Sequence, residues 1–479
     1  MRAHGSLLLL LMVMAFAALY FHDPPPQDRV HSELVAMLVG FLMLGAWLMG
    51  RLFDRIRLPK ISGYLFFGLL VGPSAWSVIF DPLMPGSLEP LMAKAMPFVE
   101  DPASLGFIKD LAIAMIALTA GGEIRFQWLK GKLKNVTILV GVGVIGVGLL
   151  ITGLLAALQM FTPLTIVGGL ESAGLVEVAI VLGMLGLIAS GNSPSVAIAM
   201  ISELNAKGPL SRTTLAVTVC KDLLIIVLFT TLVAVGAGVL REDSALSSRF
   251  LLIVGVKLGG SLAIGALLGL AMAWFVDHVR EHLVFFVLGA CFFFAVLGEQ
   301  SLYVMGEKVH FKPLLMALSA GLTMQNLRPE SSEPLFHTVE ELSLPVYCLF
   351  FAVAGTDLKL EVFMNPEAVA AVATVVVLRV VIVWAMMTGS VRALGIREPW
   401  GGKLWMALLP QAGVTLALAI LIKQSFPFER HTWSEPLFTL LLGLVAVHAL
   451  LGPIAYRWAL VSSGETSAEP AVATSRTVA

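Results

Sequence analysis

Charge is what this sequence has least of. Asp, Glu, Lys and Arg make up only 13% of its 479 residues, against 58% hydrophobic ones. Soluble domains carry about 25% charged and about 45–50% apolar residues, so an ordinary soluble fold is excluded. The formal net charge is −1, which gives no electrostatic reason to expect a nucleic-acid partner. Cysteine is nearly absent. Cys220, Cys291 and Cys348 all fall inside apolar runs with no metal-ligand spacing, and they read as small buried thiols. No ATP-binding P-loop and no soluble nucleotide-binding or catalytic module is present, which weighs against a self-contained primary pump. Histidines such as His278, His282, His310 and His337 stand in loops or at the ends of runs. With no deep Ser/His or His/Glu constellation, neither an enzyme nor a cofactor is expected.

What is present is length in apolar runs. With a mean hydropathy of +0.91, the chain has such runs near 5–21, 32–50, 61–80, 105–121, 136–159, 174–201, 212–238, 249–275, 283–303, 311–327, 342–358, 367–390, 403–423 and 434–460. Runs of roughly 18–28 residues suffice to cross about 30 Å of hydrocarbon as helices. They lack the alternation of an outer-membrane strand. The expected class is all-α and polytopic, with about 13–14 transmembrane helices and membrane lipid as surroundings.

Three segments follow. Residues 1–30 hold an N-terminal hydrophobic segment, either an extra helix or a signal peptide; no small-x-small cleavage site precedes Pro24–Pro26, which favours a retained helix. Residues 31–460 form the transmembrane domain. Residues 461–479 are a short Ser/Thr/Ala-rich tail, expected to be disordered. Lys and Arg concentrate in alternate short loops: Arg51, Arg55, Arg57 and Lys60; Arg125, Lys130, Lys132 and Lys134; Lys207 and Arg212; Arg392, Arg397 and Lys403. That bias puts these loops and the C-terminus in the cytoplasm of an inner (plasma) membrane protein.

Three charges stand where the membrane makes them costly. A charge at a helix centre costs about 2.5–3.5 kcal/mol on insertion scales, so intramembrane ionisable groups are functional candidates. Lys221 and Asp222 sit mid-run in 212–238, about ten residues or roughly 15 Å from its basic end. Arg379 is similarly deep in AVAAVATVVVLRVVIVWAMM. The plainer reading is a buried salt-bridge cluster that ties helices together. Two other runs carry helix-breaking residues at bilayer depth: IASGNSPSVAIAM with Gly191, Asn192, Ser193 and Pro194, and ALLPQAGVTLALAI with Pro410, Gln411 and Gly413. Proline removes a donor, and unwound backbone survives in a membrane only where protein or a cavity surrounds it. A pair of interrupted helices in corresponding halves points to a transporter's midplane site. Independent proline kinks are the bland alternative.

The order of these features resembles the monovalent cation:proton antiporter superfamily, the Na+/H+ exchanger-like fold. The resemblance rests on ISGYLFFGLLVGPS (Ile61–Ser74), LTAGGEIRF (Leu118–Phe126), Ser190–Phe229, LFFAVAGTDLKL (Leu349–Leu360), Arg379 and LLPQAGVTLALAI (Leu408–Ile420), over roughly residues 35–455. It implies inverted repeats with two crossed, discontinuous helices, a dimerisation unit beside a core unit, and a homodimer. It also implies that Asp222 binds a monovalent cation and exchanges it for protons, and that Arg379 stabilises the empty site. Asn192, Ser193 and Gln411 match the polar unwound segments, and Glu123 the family's acidic helix end. Lys221 departs from the pattern, because Asp or Asn usually precedes the aspartate.

Burial favours a protonated carboxyl and nearby positive charge an ionised one, so an aspartate held between the two can carry either a proton or a desolvated cation. Alternate opening of such a site to each side gives exchange. Thr218, one turn before Asp222 on the same face, joins Asn192 and Ser193 as an oxygen donor. Lys221 lies about 100° around the helix from Asp222, with Glu177, Glu299 and Glu123 as candidate partners. Its ammonium either loses a proton as the cation binds or replaces the cation, leaving a degenerate carrier, sensor or channel. Neither Na+ nor K+ is singled out.

Overall fold

The computed structural model describes residues 30–75, 77–78, 102–123, 126–161, 165–171, 173–240, 248–278, 283–304, 307–311, 313–356, 358–411, 413–428 and 430–466. The expected first hydrophobic segment and the tail beyond residue 466 lie outside them. Every apolar run expected from residue 32 onward carries a helix. They are α1 (Val30–Arg55), α2 (Lys60–Val71), α3 (Pro102–Glu123), α4 (Leu133–Phe161), α5 (Leu175–Ala189), α6 (Pro194–Glu203), α7 (Pro209–Leu240), α8 (Ser248–His278), α9 (Leu283–Glu299), α10 (Pro313–Leu327), α11 (Pro329–Thr356), α12 (Pro366–Ala393), the single turn α13 (Leu404–Ala407), α14 (Gly413–Ser425) and α15 (Ser434–Ser462). Helices that begin on proline use it where its missing N–H costs nothing, in the first turn.

Six of these stretches are long and apolar enough to cross a membrane by themselves: Leu133–Phe161, Leu175–Glu203, Pro209–Val233, Leu258–His278, Pro366–Ala393 and Ser434–Ser462. The run expected over 283–303 stops at Glu299. Ser301–Val304 (β1) pairs antiparallel with Glu307–His310 (β2), Ser301 opposite His310. Polar Gln300 and Ser301 end the apolar helix, and Tyr303, Val304 and Val309 favour the extended chain.

Packing sorts the helices into two groups. One contains α1, α2, α3, α8, α9, α10 and α11; the other contains α4 to α7 and α12 to α15. Contacts of α15 with α2, of α6 with α2 and α3, and of α7 with α8 join them. Within the first group α2 and α11 approach backbone to backbone. A Cβ on Gly355 would lie 2.2 Å from the Leu65 carbonyl oxygen. Such close small-residue contacts replace the hydrophobic drive that lipid removes.

Candidate functional site

The site lies in the second group, where two helices lose their regular backbone at the same place. After α5 ends at Ala189 the chain runs extended through Asn192 and Ser193 before α6 starts on Pro194. Ser193 caps α6: its Oγ accepts from Val196 N–H at 3.3 Å and lies 2.9 Å from Ser195 Oγ. The other break follows α13 and runs through Leu408–Gln411. Ser193 N–H donates to the Pro410 carbonyl at 2.8 Å, so the two unwound segments are bonded to each other. Gly452 of α15 lets the second break come close, since a Cβ there would stand 2.5 Å from Pro410 Cα.

Two helix C-terminal ends meet at this crossing, those of α5 and α13. Each carries unsatisfied carbonyls, the negative end of its peptide dipoles. Arg379, fully buried on α12, answers both. Its Nε donates to Ala189 O at 2.7 Å and its Nη1 to Leu409 O at 2.9 Å; Nη2 donates to Gly191 O at 2.8 Å and Leu408 O at 3.3 Å. A positive charge complements both carbonyl ends, and only a planar fork reaches four acceptors. Gln411 Nε2 adds bonds to Ile188 O at 3.1 Å and Gly191 O at 3.2 Å.

Above this frame stands α7. Asn192 Nδ2 donates to Thr218 Oγ1 at 2.6 Å, tying the first break to the turn before Asp222. Three buried acceptor atoms then have no hydrogen-bond partner among the described residues: Asp222 Oδ2, Asn192 Oδ1 and Gln411 Oε1. Asn192 and Gln411 belong to the crossing and Asp222 stands one turn beyond Thr218; buried polar atoms are nearly always paired, so these orphans call for an explanation. One carboxylate with neutral oxygens balances a single positive charge, and hard oxygens suit a hard cation. Among the described residues no group of three or more His, Cys, Asp or Glu could hold a metal ion.

Lys221 turns another way. A Cβ on Gly143 would sit 3.3 Å from its Cδ and 3.4 Å from its Cε, and 3.4 Å from Met387 Cε. The lysine stem therefore fills the space between α4 and α12, beside a π-helical turn at Val142–Gly146. Asp222 and Arg379 are the charges that act on it. Of the carboxylates expected as partners, the described one, Glu177, stands elsewhere. Glu177 accepts from Trp433 Nε1 at 2.8 Å, with His431 Nδ1 at 3.9 Å, in the first turn of α5. The side chains of Glu123 and Glu299 lie outside the described residues.

The structure thus joins Asn192, Ser193, Pro194, Pro410, Gln411, Thr218 and Arg379 in one bonded cluster, with Asp222 a turn from Thr218. It corrects two readings. Cys291 and Cys348 are buried but Cys220 is exposed on α7. The tail begins, through Thr466, as a docked turn in which Glu465 is buried. Two residues escaped sequence reasoning: Gly452, and His448 in the middle of α15. His448 Nδ1 pairs with Leu444 O at 2.9 Å; its Nε2 is buried with no hydrogen-bond partner among the described residues, within electrostatic reach of Arg379. A histidine inside the run LVAVHALLG was the available signal.

Fold and site together define a polytopic membrane transporter built around two crossed, interrupted helices. The family described as "Sodium/hydrogen exchanger, transmembrane" matches residues 39–462, and the chain belongs to that family. Its fold is also that of a solved sodium proton antiporter, MjNhaP1 from Methanocaldococcus jannaschii, at 18% sequence identity and a TM-score of 0.60. The match covers 91% of this chain and 99% of that one. No curated protein sequence matches.

Proposed function

We propose that the protein exchanges a monovalent cation, Na+ or K+, for protons by alternating access, with Asp222 as the group that carries one or the other. The orphaned Asp222 carboxylate oxygen, one turn from the Thr218 hydroxyl that Asn192 binds, is the observation that carries this reading. A dehydrated cation satisfies that oxygen, and a proton on Asp222 satisfies the carboxylate in its place. Only one fits at a time, so flux of each drives the other. Arg379 is spent on backbone carbonyls and holds the crossing together whether or not the cation is bound. The Lys221 stem packs against Gly143 of α4 and Met387 of α12, a placement that favours a working carrier over one whose ion the ammonium has replaced. The basic loops and the C-terminus face the cytoplasm of a plasma (inner) membrane, and two copies assemble as a homodimer.

Reconstituted into liposomes with a preset pH gradient, the protein should dissipate that gradient when Na+, K+ or Li+ is added. The cation of lowest KM names the substrate. Gradient dissipation by none of the three, at any pH, rules out exchange; steady conductance without counter-transport identifies a channel.

A further inference from the structure

The helix that carries Thr218, Lys221 and Asp222 begins without a cap of its own. Gly208 holds the N-cap position of α7 and offers no side chain, and Pro209 at the first helical position has no N–H. The next two amides, of Leu210 and Ser211, are those an N-cap side chain normally satisfies. Both donate instead to Glu465, beyond the far end of α15. Leu210 N–H meets Oε1 at 2.5 Å and Ser211 N–H meets Oε2 at 2.8 Å, with Ser211 Oγ on Oε2 at 2.6 Å. Lys207 N–H donates to the main-chain oxygen of Glu465 at 2.8 Å.

Both ends are shaped for this contact. At the end of α15, Gly464 adopts φ +74, and Glu465 N–H returns to Leu460 O at 3.3 Å. That is the left-handed reversal by which glycine ends helices, and here it turns the next residue back onto α7. Opposite, a Cβ on Gly208 would lie 2.2 Å from Glu465 Cδ. A carboxylate at a helix N-terminus also complements the helix dipole. The same turn collects other parts of the crossing. Lys403, just before α13, donates to Ser462 O at 2.5 Å, and Arg457 lies 3.8 Å from Glu203 at the end of α6.

Resting on the exchange reading above, we infer that Glu465 is a positioning residue of the cation site, capping the Asp222 helix in trans from the C-terminal turn. It fixes where α7 stands along its axis, so that Thr218 stays on Asn192 and Asp222 stays at the crossing. Loosening the cap frays the first turn of α7 and weakens cation binding more than it slows turnover. Regulation follows from the same geometry, because anything that pulls residues 463–466 away acts on the site through α7.

The test uses the full chain in proteoliposomes: native, Glu465→Ala, and Glu465→Ala combined with Gly208→Asp. The double variant builds a local cap in the space that Glu465 vacates. Glu465→Ala should raise the cation KM about three- to tenfold, leave the maximal rate within about twofold, and expose the Leu210 and Ser211 amides to hydrogen exchange. The double variant should restore both KM and amide protection. A native KM in Glu465→Ala overturns the inference, as does a KM that stays high in the double variant after protection returns. If Glu465→Ala fails to reach the membrane, Glu465→Gln keeps one acceptor oxygen and should move KM about twofold in the same direction; no movement again overturns it. Absence of exchange in the native protein removes the reading on which the inference rests, whereas exchange with an unmoved variant overturns the capping role alone.

Discussion

Arg379 and Lys221 are both fully buried basic side chains near the middle of apolar helices, and their surroundings differ completely. Arg379 spends its guanidinium on four backbone carbonyls from two broken helices. Lys221 lays its stem against Gly143 and Met387, with the Asp222 and Arg379 charges within electrostatic reach. A buried charge tied by good hydrogen bonds is a fixed part of the frame, whereas a buried ammonium held mainly by packing can respond to what binds beside it. Insertion cost alone made the two look alike. Their partners separate them.

The strongest way to break this contrast is Arg379→Lys. A point charge on a flexible stem cannot bridge the α5 and α13 ends, so the variant should lose about 3 kcal/mol or more of stability. Denaturant or thermal unfolding in detergent reads this directly, and a native-like midpoint would show that the crossing holds without the fork. Lys221→Met is the matching test on the other side. Methionine keeps the apolar contact with Gly143, so stability should change by less than about 1 kcal/mol. Removing a like charge near the cation should tighten apparent cation affinity on the order of tenfold. Unchanged affinity and an unchanged pH profile of exchange would take Lys221 out of the coupling.

The smallest effect is expected at a carboxylate outside the membrane-spanning segments. Glu361 stands in the connection between α11 and α12, where Ser74 Oγ donates to it and Ser77 Oγ donates at 2.9 Å. Partial burial would push its carboxyl up, but these bonds and the nearby Lys359 charge outweigh that and hold it below the usual carboxylate range. A carboxylate held low in the folded state stabilises above its unfolded pKa, and that contribution fades as pH falls through the lower folded value. Glu361 is exposed, so the effect is screened and stays within about 1 kcal/mol. Glu361→Gln should flatten the acid limb of the stability–pH curve slightly; an unchanged limb would mean the bonds add nothing.

Much of this was legible in the sequence, for identifiable reasons. Long apolar runs and alternating basic loops have no soluble explanation, so the membrane helices followed from composition. Pro194, Pro410 and their polar neighbours marked the breaks because proline removes a donor wherever it stands. What the sequence hid was pairing at long range. Nothing local tells that Arg379 would meet carbonyls rather than Asp222, or that Lys221 would lean on a glycine of α4. Gly208 reads as an indifferent loop residue until Glu465 stands over it. Gly452 vanishes into an apolar run, and His448 stands out there without showing its neighbour, because periodicity cannot say which face meets the crossing. In each case the missing information was the identity of the neighbour.

The central claim is that a cation and a proton compete for Asp222, and proton release tests it most directly. Purified protein in weakly buffered detergent solution should release protons when the transported cation is added, and Asp222→Asn should release none while remaining folded. Equal proton release from Asp222→Asn and the native protein would contradict the account.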